Sequence, residues 1–255
     1  MQTISFKEIL FWTVLGLLVA VFVLKREQYS NNKPAKEKSK QLQLCIIERP
    51  NFYTSEKVID LLVEDIKKYG NWSNIDLKKA RANPPEEFYY FFPNKRKMDE
   101  WVEDRVYEIC GDPRNTLSIV FAGIAKGEES WGYAHRETNT VVVEQHIMDA
   151  TSRVSKAEDL ITEAIILHEI GHLWGLEHNN WENCLMNPLF DGLKIEDDDI
   201  NSFNKEVEEF LDNKKAQNIS PEVVEDELRE KLGFKFCDQE IRRIKSLKSP
   251  LLGSN

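Results

Sequence analysis

The 255-residue sequence has little glycine, proline or cysteine, and it contains a single long uncharged apolar run. With only 11 glycines and 9 prolines, it is neither collagen-like nor of low complexity. Four cysteines are too few for a disulfide scaffold, and they do not by themselves fix a pairing. One apolar run excludes a multi-span membrane protein. Basic residues are also outnumbered, 34 against 44 acidic ones, so we expect no nucleic-acid partner.

The apolar run occupies residues 9–24 and reads ILFWTVLGLLVAVFVL. Extended back to residue 6, a helix there would span roughly 28 Å, close to the hydrocarbon core of a bilayer at about 30 Å. A cleaved signal peptide and a buried core helix are the alternatives. However, Lys25 and Arg26 stand where a small-residue cleavage site would be expected, and the run has no polar stripe. We therefore predict a short tail at 1–8, a single-pass transmembrane anchor at 9–24 and a polar, basic stalk at 25–40.

The charges that flank this anchor bear on its orientation. One lysine, Lys7, precedes the run, whereas six basic residues follow it before residue 41. Because positive flanks tend to stay in the cytoplasm, the flanks weakly favour a cytoplasmic body. The side of the membrane stays open at this point.

The chain from residue 41 onward predicts a mixture of strands and helices. Apolar runs bounded by turn residues predict strands at 41–47, 87–92, 116–122, 131–135 and 140–145. Apolar residues at intervals of three and four predict helices at 55–70, 99–110 and 157–174, with two or three acidic amphipathic helices between 197 and 247. This order predicts an α/β (α+β) domain at 41–213 with a small mixed sheet, then an acidic helical extension at 214–255.

Three of the five histidines stand at the end of the longest predicted helix, in the pattern H-E-x-x-H-x-x-G-x-x-H. His168 and His172 are one turn apart on one helix face, so both imidazoles can reach one ion. Gly175 can adopt positive φ, end the helix and return His178 to the same ion. Three imidazoles leave a fourth position open, which is typical of a catalytic rather than a structural zinc site.

This pattern resembles the metzincin metallopeptidases, whose motif is completed by a methionine in a turn. Met186 lies eight residues after His178, and Pro188 follows it, a spacing most similar to the matrixin branch. Archaemetzincins share this spacing and a cysteine where Cys184 stands. Asn179 replaces their cysteine directly after the third histidine, so we expect no additional cysteine-bound zinc.

The resemblance implies a zinc endopeptidase with a metzincin-like fold and one catalytic Zn²⁺. His168, His172 and His178 would bind the ion, and Met186 would lie beneath them without binding it. Glu169 would be the general base toward a zinc-activated water that hydrolyses a peptide bond. By position, the strand that pairs with an extended protein or peptide substrate would contain Trp131, Gly132, Tyr133 and Ala134.

Two further expectations complete the prediction. Residues 123–139 are poor in histidine and aspartate, so we expect no second metal site there. The rival to a membrane-anchored peptidase is a non-catalytic, zinc-bearing protein-binding module. The carboxylate of Glu169 disfavours that rival, because a binding module needs no base beside the metal.

Overall fold

A computed structural model describes residues 41–50, 54–86, 91–113, 116–125, 132–144, 158–181, 184–187, 197–217 and 219–246. The predicted tail, anchor and stalk at 1–40 lie outside these residues. Among the residues described, no helix has the length and apolar character needed to cross a membrane.

The described residues form a sheet, with α-helices between some of its strands and further helices after the last strand. The strands are β1 (Gln41–Glu48), β2 (Asn74–Arg81), β3 (Phe91–Phe92), β4 (Thr116–Ala125), β5 (Gly132–His135) and β6 (Thr140–Glu144). The helices are α1 (Glu56–Gly70), α2 (Lys95–Arg105), α3 (Glu158–Leu173), α4 (Asp197–Ala216), α5 (Pro221–Lys231) and α6 (Asp238–Ser246). A π-helical turn, Val106–Cys110, continues α2, and a 3-10 turn, Arg136–Thr138, connects β5 to β6.

The strand order is β2-β1-β4-β6-β5, and the short β3 pairs with the end of β4. All pairs are parallel except β5 with β6, which is antiparallel. This is the mixed α/β sheet that the sequence predicts. The one reversed strand, β5, stands at the end of the order, beside the face on which α3 packs.

Strand β2 has no counterpart among the predicted strands. Its sequence, NIDLKKAR, is polar, and most of its side chains are exposed. It pairs with β1 along its whole length but stands at the end of the order, so its side chains need not be apolar. Helix α2 also begins earlier than predicted, at Lys95, because Asn94 caps it by accepting a hydrogen bond from Lys97 N.

Apolar side chains cover both faces of the sheet. Helices α1 and α3 pack on one face, against side chains of β1, β4 and β6 that include Leu44, Ile119 and Val141. Helix α2 packs on the other face, where Met98 and Val102 meet Ile47, Val120 and Val142. Burial on both faces explains why these central strands read as continuous apolar runs.

The C-terminal helices join the first of these cores. Val207 of α4, Leu228 of α5 and Ile244 of α6 are buried in it, together with Phe234 and Phe236. Helix α4 continues through the predicted boundary at 213. The predicted boundary between a domain at 41–213 and an extension at 214–255 therefore stays a prediction. The helices after residue 213 contribute to the same packed interior.

Two disulfides link distant parts of the chain. Cys45 of β1 is bonded to Cys110 at the end of the π-helical turn, and Cys184 is bonded to Cys237, which directly precedes α6. The first disulfide connects the sheet to the α2 side. The second connects the C-terminal segment to the turn that contains Met186.

Candidate metal centre

The end of α3 is shaped by a glycine turn. Gly175 has φ +82°, its N–H donates to His172 O at 3.0 Å, and the N–H of Leu176 donates to Gly171 O at 2.9 Å. These two hydrogen bonds define a Schellman motif, which ends a helix at a residue in the left-handed region. The predicted positive φ at Gly175 is confirmed, and the chain reverses there so that His178 returns toward the helix.

The three histidines converge on one point. His178 Nε2 lies 3.1 Å from His168 Nε2 and 3.0 Å from His172 Nε2. A tetrahedral zinc ion with bonds of about 2.0–2.1 Å separates its nitrogen ligands by about 3.3 Å. The spacing of these nitrogens is therefore close to that of three ligands around one small ion, and the three residues could together hold a metal.

Hydrogen bonds at the other ring nitrogen show why a cation fits. His168 Nδ1 lies 2.7 Å from Leu185 O, and His172 Nδ1 lies 3.0 Å from Leu176 O. A carbonyl can only accept, so each Nδ1 carries a proton, and each ring in its neutral form directs an Nε2 lone pair toward the shared point. Lone pairs at this separation repel one another unless a cation lies among them.

Burial keeps the first histidine in the form that binds metal. His168 is fully buried, and the loss of solvation lowers its pKa to about 3, although the hydrogen bond to Leu185 opposes that shift. A neutral imidazole is the metal-binding form of histidine. Ligation at His168 therefore requires no loss of a proton near neutral pH.

Met186 lies beside Gly171 of α3, in a turn of residues 184–187 that we call the Met186 turn. Its predicted place beneath the histidines stays a prediction. The turn is closed by the N–H of Asn187, which donates to Cys184 O at 3.1 Å, and Met186 is fully buried. A Cβ placed on Gly171 would lie 2.5 Å from Met186 Sδ and 3.0 Å from Phe236 Cε1. Glycine at 171 thus lets the thioether and an aromatic ring pack directly against α3.

Glu169 lies on the side of α3 that faces β5. It is 4% exposed, and a Cβ built on Gly132 would lie 3.8 Å from its Cγ. The same Cβ would lie 2.7 Å from Val142 O, so the close approach of β5 to the backbone of β6 requires glycine at 132. The structure thus brings the predicted base together with one end of the predicted substrate strand.

The other predicted substrate residues divide between two faces of β5. Ala134 packs against the core that contains α3, whereas Tyr133 lies against α2, where it donates a hydrogen bond to Asp99 and its ring faces Lys95 Nζ at 3.1 Å. Trp131 lies outside the described residues. Helix α2 therefore supports β5 from the face opposite α3.

A second group of possible ligands also lies on that face, although we expected no second metal in this region. His135, Glu103 and Glu137 are within reach of one ion, and His135 Nε2 is 3.2 Å from Glu103 Oε1. His135 Nδ1 contacts Thr138 Oγ1 at 2.9 Å. The expectation of no second metal at residues 123–139 stays a prediction. The contact between His135 and Glu103 is an ion pair if His135 is protonated.

Two residues beside the histidines have contacts that the sequence did not predict. Asn179 follows His178, and its Nδ2 donates to Glu240 Oε1 at 2.6 Å. Glu240 lies in α6, far away in the sequence, and it is 2% exposed. The available signal was weak, because a glutamate at the third position of a helix reads as an ordinary N-terminal helical residue.

Part of the chain matches a known protein family. Residues 95–206 match the matrixin family model, and that segment contains β4, β5, β6, α3 and the Met186 turn. No curated protein sequence matches the chain. Similar solved structures include archaemetzincin from Methanopyrus kandleri, at 16% identity and a TM-score of 0.49, covering 83% of this chain and 98% of that one. A zinc-dependent peptidase from Methanocorpusculum labreanum has 11% identity and a TM-score of 0.44, covering 79% and 99%.

The matrixin match confirms the predicted resemblance. Over residues 95–206 the chain is similar to the matrixins, and this match supports a zinc metallopeptidase.

Proposed function

We propose that the protein is a membrane-anchored zinc endopeptidase that binds one catalytic ion through His168, His172 and His178. One observation supports this most strongly: three imidazole Nε2 atoms meet at about one point, and backbone carbonyls hold two of the rings in the metal-binding tautomer. A zinc ion bound there supplies Lewis acidity, which lowers the pKa of water and polarises a peptide carbonyl.

Glu169 is the proposed general base. As the residue after His168 it is about 100° further around α3, which directs it away from the ligand set and toward β5. Its carboxylate would take a proton from the attacking water and pass it to the leaving amine. Burial at 4% exposure keeps this transfer away from bulk solvent.

The proposed substrate is an extended protein or peptide segment that pairs with β5. This strand ends the described strand order, and its residues Gly132 and Ala134 face the α3 side, where Glu169 lies. Pairing with a sheet edge uses main-chain hydrogen bonds and so tolerates many sequences. A strand that ends the described sheet beside the base therefore favours an endopeptidase over an enzyme restricted to very small peptides.

We also propose that residues 9–24 anchor the protein in a membrane as a single span. The uncharged length of that run supports the anchor. The flanking charges lean toward a cytoplasmic body, but the two disulfides support the opposite side, since disulfides persist in oxidising compartments. We therefore propose that the peptidase domain faces the oxidising side. The test is a fusion, after Asn255, of a reporter that works only in the cytoplasm. Activity of that reporter would refute this orientation.

The test of the catalytic assignment is the variant Glu169→Gln in the full chain. We expect it to lose peptidase activity by about 10²–10⁴-fold while still binding about one zinc ion, because only proton transfer is removed. Cleavage of a peptide library, with and without a chelator, supplies the activity measurement. Full activity in Glu169→Gln would refute the base, and no chelator-sensitive cleavage by the wild type would favour the binding module.

A further inference from the structure

The segment before and inside α6 contacts the Met186 turn at three places. The N–H of Leu185 donates to Lys235 O at 3.1 Å, and the N–H of Met186 donates to Glu240 Oε1 at 3.0 Å. The Cys184–Cys237 disulfide joins the same two segments covalently. The Met186 turn is thus held largely by residues that lie about fifty positions later in the chain.

Glu240 is the central residue of this contact. Its Oε1 accepts from Met186 N at 3.0 Å and from Asn179 Nδ2 at 2.6 Å, while its Oε2 accepts from Cys237 N at 3.0 Å. The carboxylate is 2% exposed, and it meets three neutral donors. Removing a carboxylate from water is unfavourable unless such donors replace its hydration, so the site is organised around an acceptor that is negatively charged.

Two of the contacted residues connect directly to the metal ligands. Leu185, which precedes Met186, accepts the hydrogen bond from His168 Nδ1. Asn179 follows His178, and its N–H donates to Met186 O at 2.9 Å. Glu240 therefore closes a ring of hydrogen bonds in which the third histidine is attached to the same turn that orients the first.

His178 is the ligand that most needs such support. His168 and His172 are both fixed by α3, whereas His178 lies beyond the helix end, in irregular chain, and its side chain is exposed. A ligand on a loop loses more conformational freedom on binding an ion than a ligand on a helix does. Restricting the residue next to it reduces that loss and improves metal affinity.

We propose that Glu240 is a positioning residue for the metal centre, which holds Asn179 and the Met186 turn so that His178 meets His168 and His172. This inference rests on the proposed metal site and adds a C-terminal residue to it. Glu240 does not touch the ion or the substrate in this proposal. It acts through the N–H of Met186 and the side-chain amide of Asn179.

The variant Glu240→Gln separates this role from simple packing. Glutamine keeps the shape, but one of its two terminal atoms becomes a donor. In either orientation that donor faces another donor, either Cys237 N–H or the pair formed by Met186 N–H and the Asn179 amide. Only a carboxylate accepts from all three at once.

The experiment measures zinc affinity of the full chain by competition with a chelator, together with the visible spectrum of the cobalt-substituted protein. We expect Glu240→Gln to weaken zinc binding by about 10–100-fold, the range typical of residues that orient metal ligands, and to alter the cobalt spectrum. The matched control is Glu48→Gln, which alters a buried carboxylate of β1 that accepts from Thr54 N at 3.0 Å. We expect this control to keep the wild-type affinity and spectrum.

Each outcome bears on a different claim. Wild-type affinity and spectrum in a folded Glu240→Gln would overturn the positioning role, and so would an equal loss in Glu48→Gln. If the wild-type chain binds no zinc, the proposed metal site fails first. If Glu240→Gln does not fold, Asn179→Ala is measured instead, because it removes one donor and leaves two. We expect it to weaken zinc binding by several-fold, and an unchanged affinity would overturn the inference.

Discussion

Two buried glutamates, Glu163 and Glu240, show contrasting ways of placing a carboxylate inside this protein. Glu163 is fully buried in α3, and Glu240 is 2% exposed in α6. Glu240 meets three neutral donors, two of them backbone N–H groups. Glu163 has charged neighbours instead: Arg229 Nη2 lies 2.9 Å from its Oε2, and the same Nη2 also contacts Asp65.

The difference has a chemical consequence. One guanidinium stands between two carboxylates at the Glu163 cluster, which we define as Asp65, Glu163 and Arg229. Burial raises the pKa of Glu163 well above its ordinary value; the charge of Arg229 opposes this shift, and the charge of Asp65 adds to it. We expect a proton to remain on Glu163, whereas neutral donors suit a charged Glu240. Both glutamates connect C-terminal helices to the active-site region, but only one depends on a cation.

The largest expected effect comes from removing the guanidinium of Arg229. Arg229→Met should lower the free energy of unfolding by about 3–5 kcal/mol, because it leaves the buried carboxylate of Asp65 without a counter-charge and Glu163 without the guanidinium beside it. Chemical denaturation of the metal-free chain measures this. The control Lys57→Met removes a half-exposed lysine that pairs with Glu225 at 2.9 Å, and we expect a change below about 1 kcal/mol. Equal effects of the two substitutions would show that the Glu163 cluster does not depend on Arg229.

The next largest effect is the stabilisation that zinc gives to variants of the two glutamates. At a free concentration of about 100 times Kd, zinc should raise the free energy of unfolding of the wild type by about 2.7 kcal/mol. At the same zinc concentration, Glu240→Gln should gain only about 0.4–1.4 kcal/mol, since a 10–100-fold weaker site is less occupied. Glu163→Gln should gain as much as the wild type. A reduced gain in Glu163→Gln would mean that the cluster also shapes the metal centre.

In the absence of zinc, the substitution of Glu240 should still destabilise the fold. We expect Glu240→Gln to lower the free energy of unfolding by about 1–3 kcal/mol, because a buried donor loses its acceptor. The measurement is denaturation in the presence of a chelator, with Glu48→Gln as the comparison. No loss of stability would indicate that water or a rearranged side chain replaces the carboxylate, so that its three donors do not depend on Glu240.

The histidine site could be predicted because its determinants are local in the sequence. The spacing of His168 and His172 follows from the helix period, and positive φ at Gly175 suffices to return His178 to them. The central strands were predicted for a similar reason, since burial on both faces produces apolar runs. Strand β2 was missed because only its backbone pairing, and not its polar side chains, places it in the sheet.

The supporting residues could not be predicted because their partners are distant in the sequence. Glu240 contacts a residue 54 positions away, and Arg229 contacts one 164 positions away. Both lie in acidic, amphipathic segments that resemble solvent-exposed helices. A buried charge and a surface charge look alike in one sequence, and only the fold determines which of them is enclosed.

The smallest expected effect tests whether Glu163 holds a proton. Its pKa is raised in the folded state, so the native protein retains a proton that the unfolded chain releases above about pH 4.3. The contribution of Glu163 to stability should therefore decrease as pH rises from about 4 toward its raised folded-state pKa. Glutamine does not titrate, so Glu163→Gln should differ from the wild type by less than about 1 kcal/mol at pH 4 and become relatively more stable at higher pH. Denaturation at several pH values measures this difference, with Glu209→Gln on the exposed side of α4 controlling for the loss of one negative charge. A difference that does not change with pH would mean that Glu163 holds no proton in the folded state, contrary to the raised pKa.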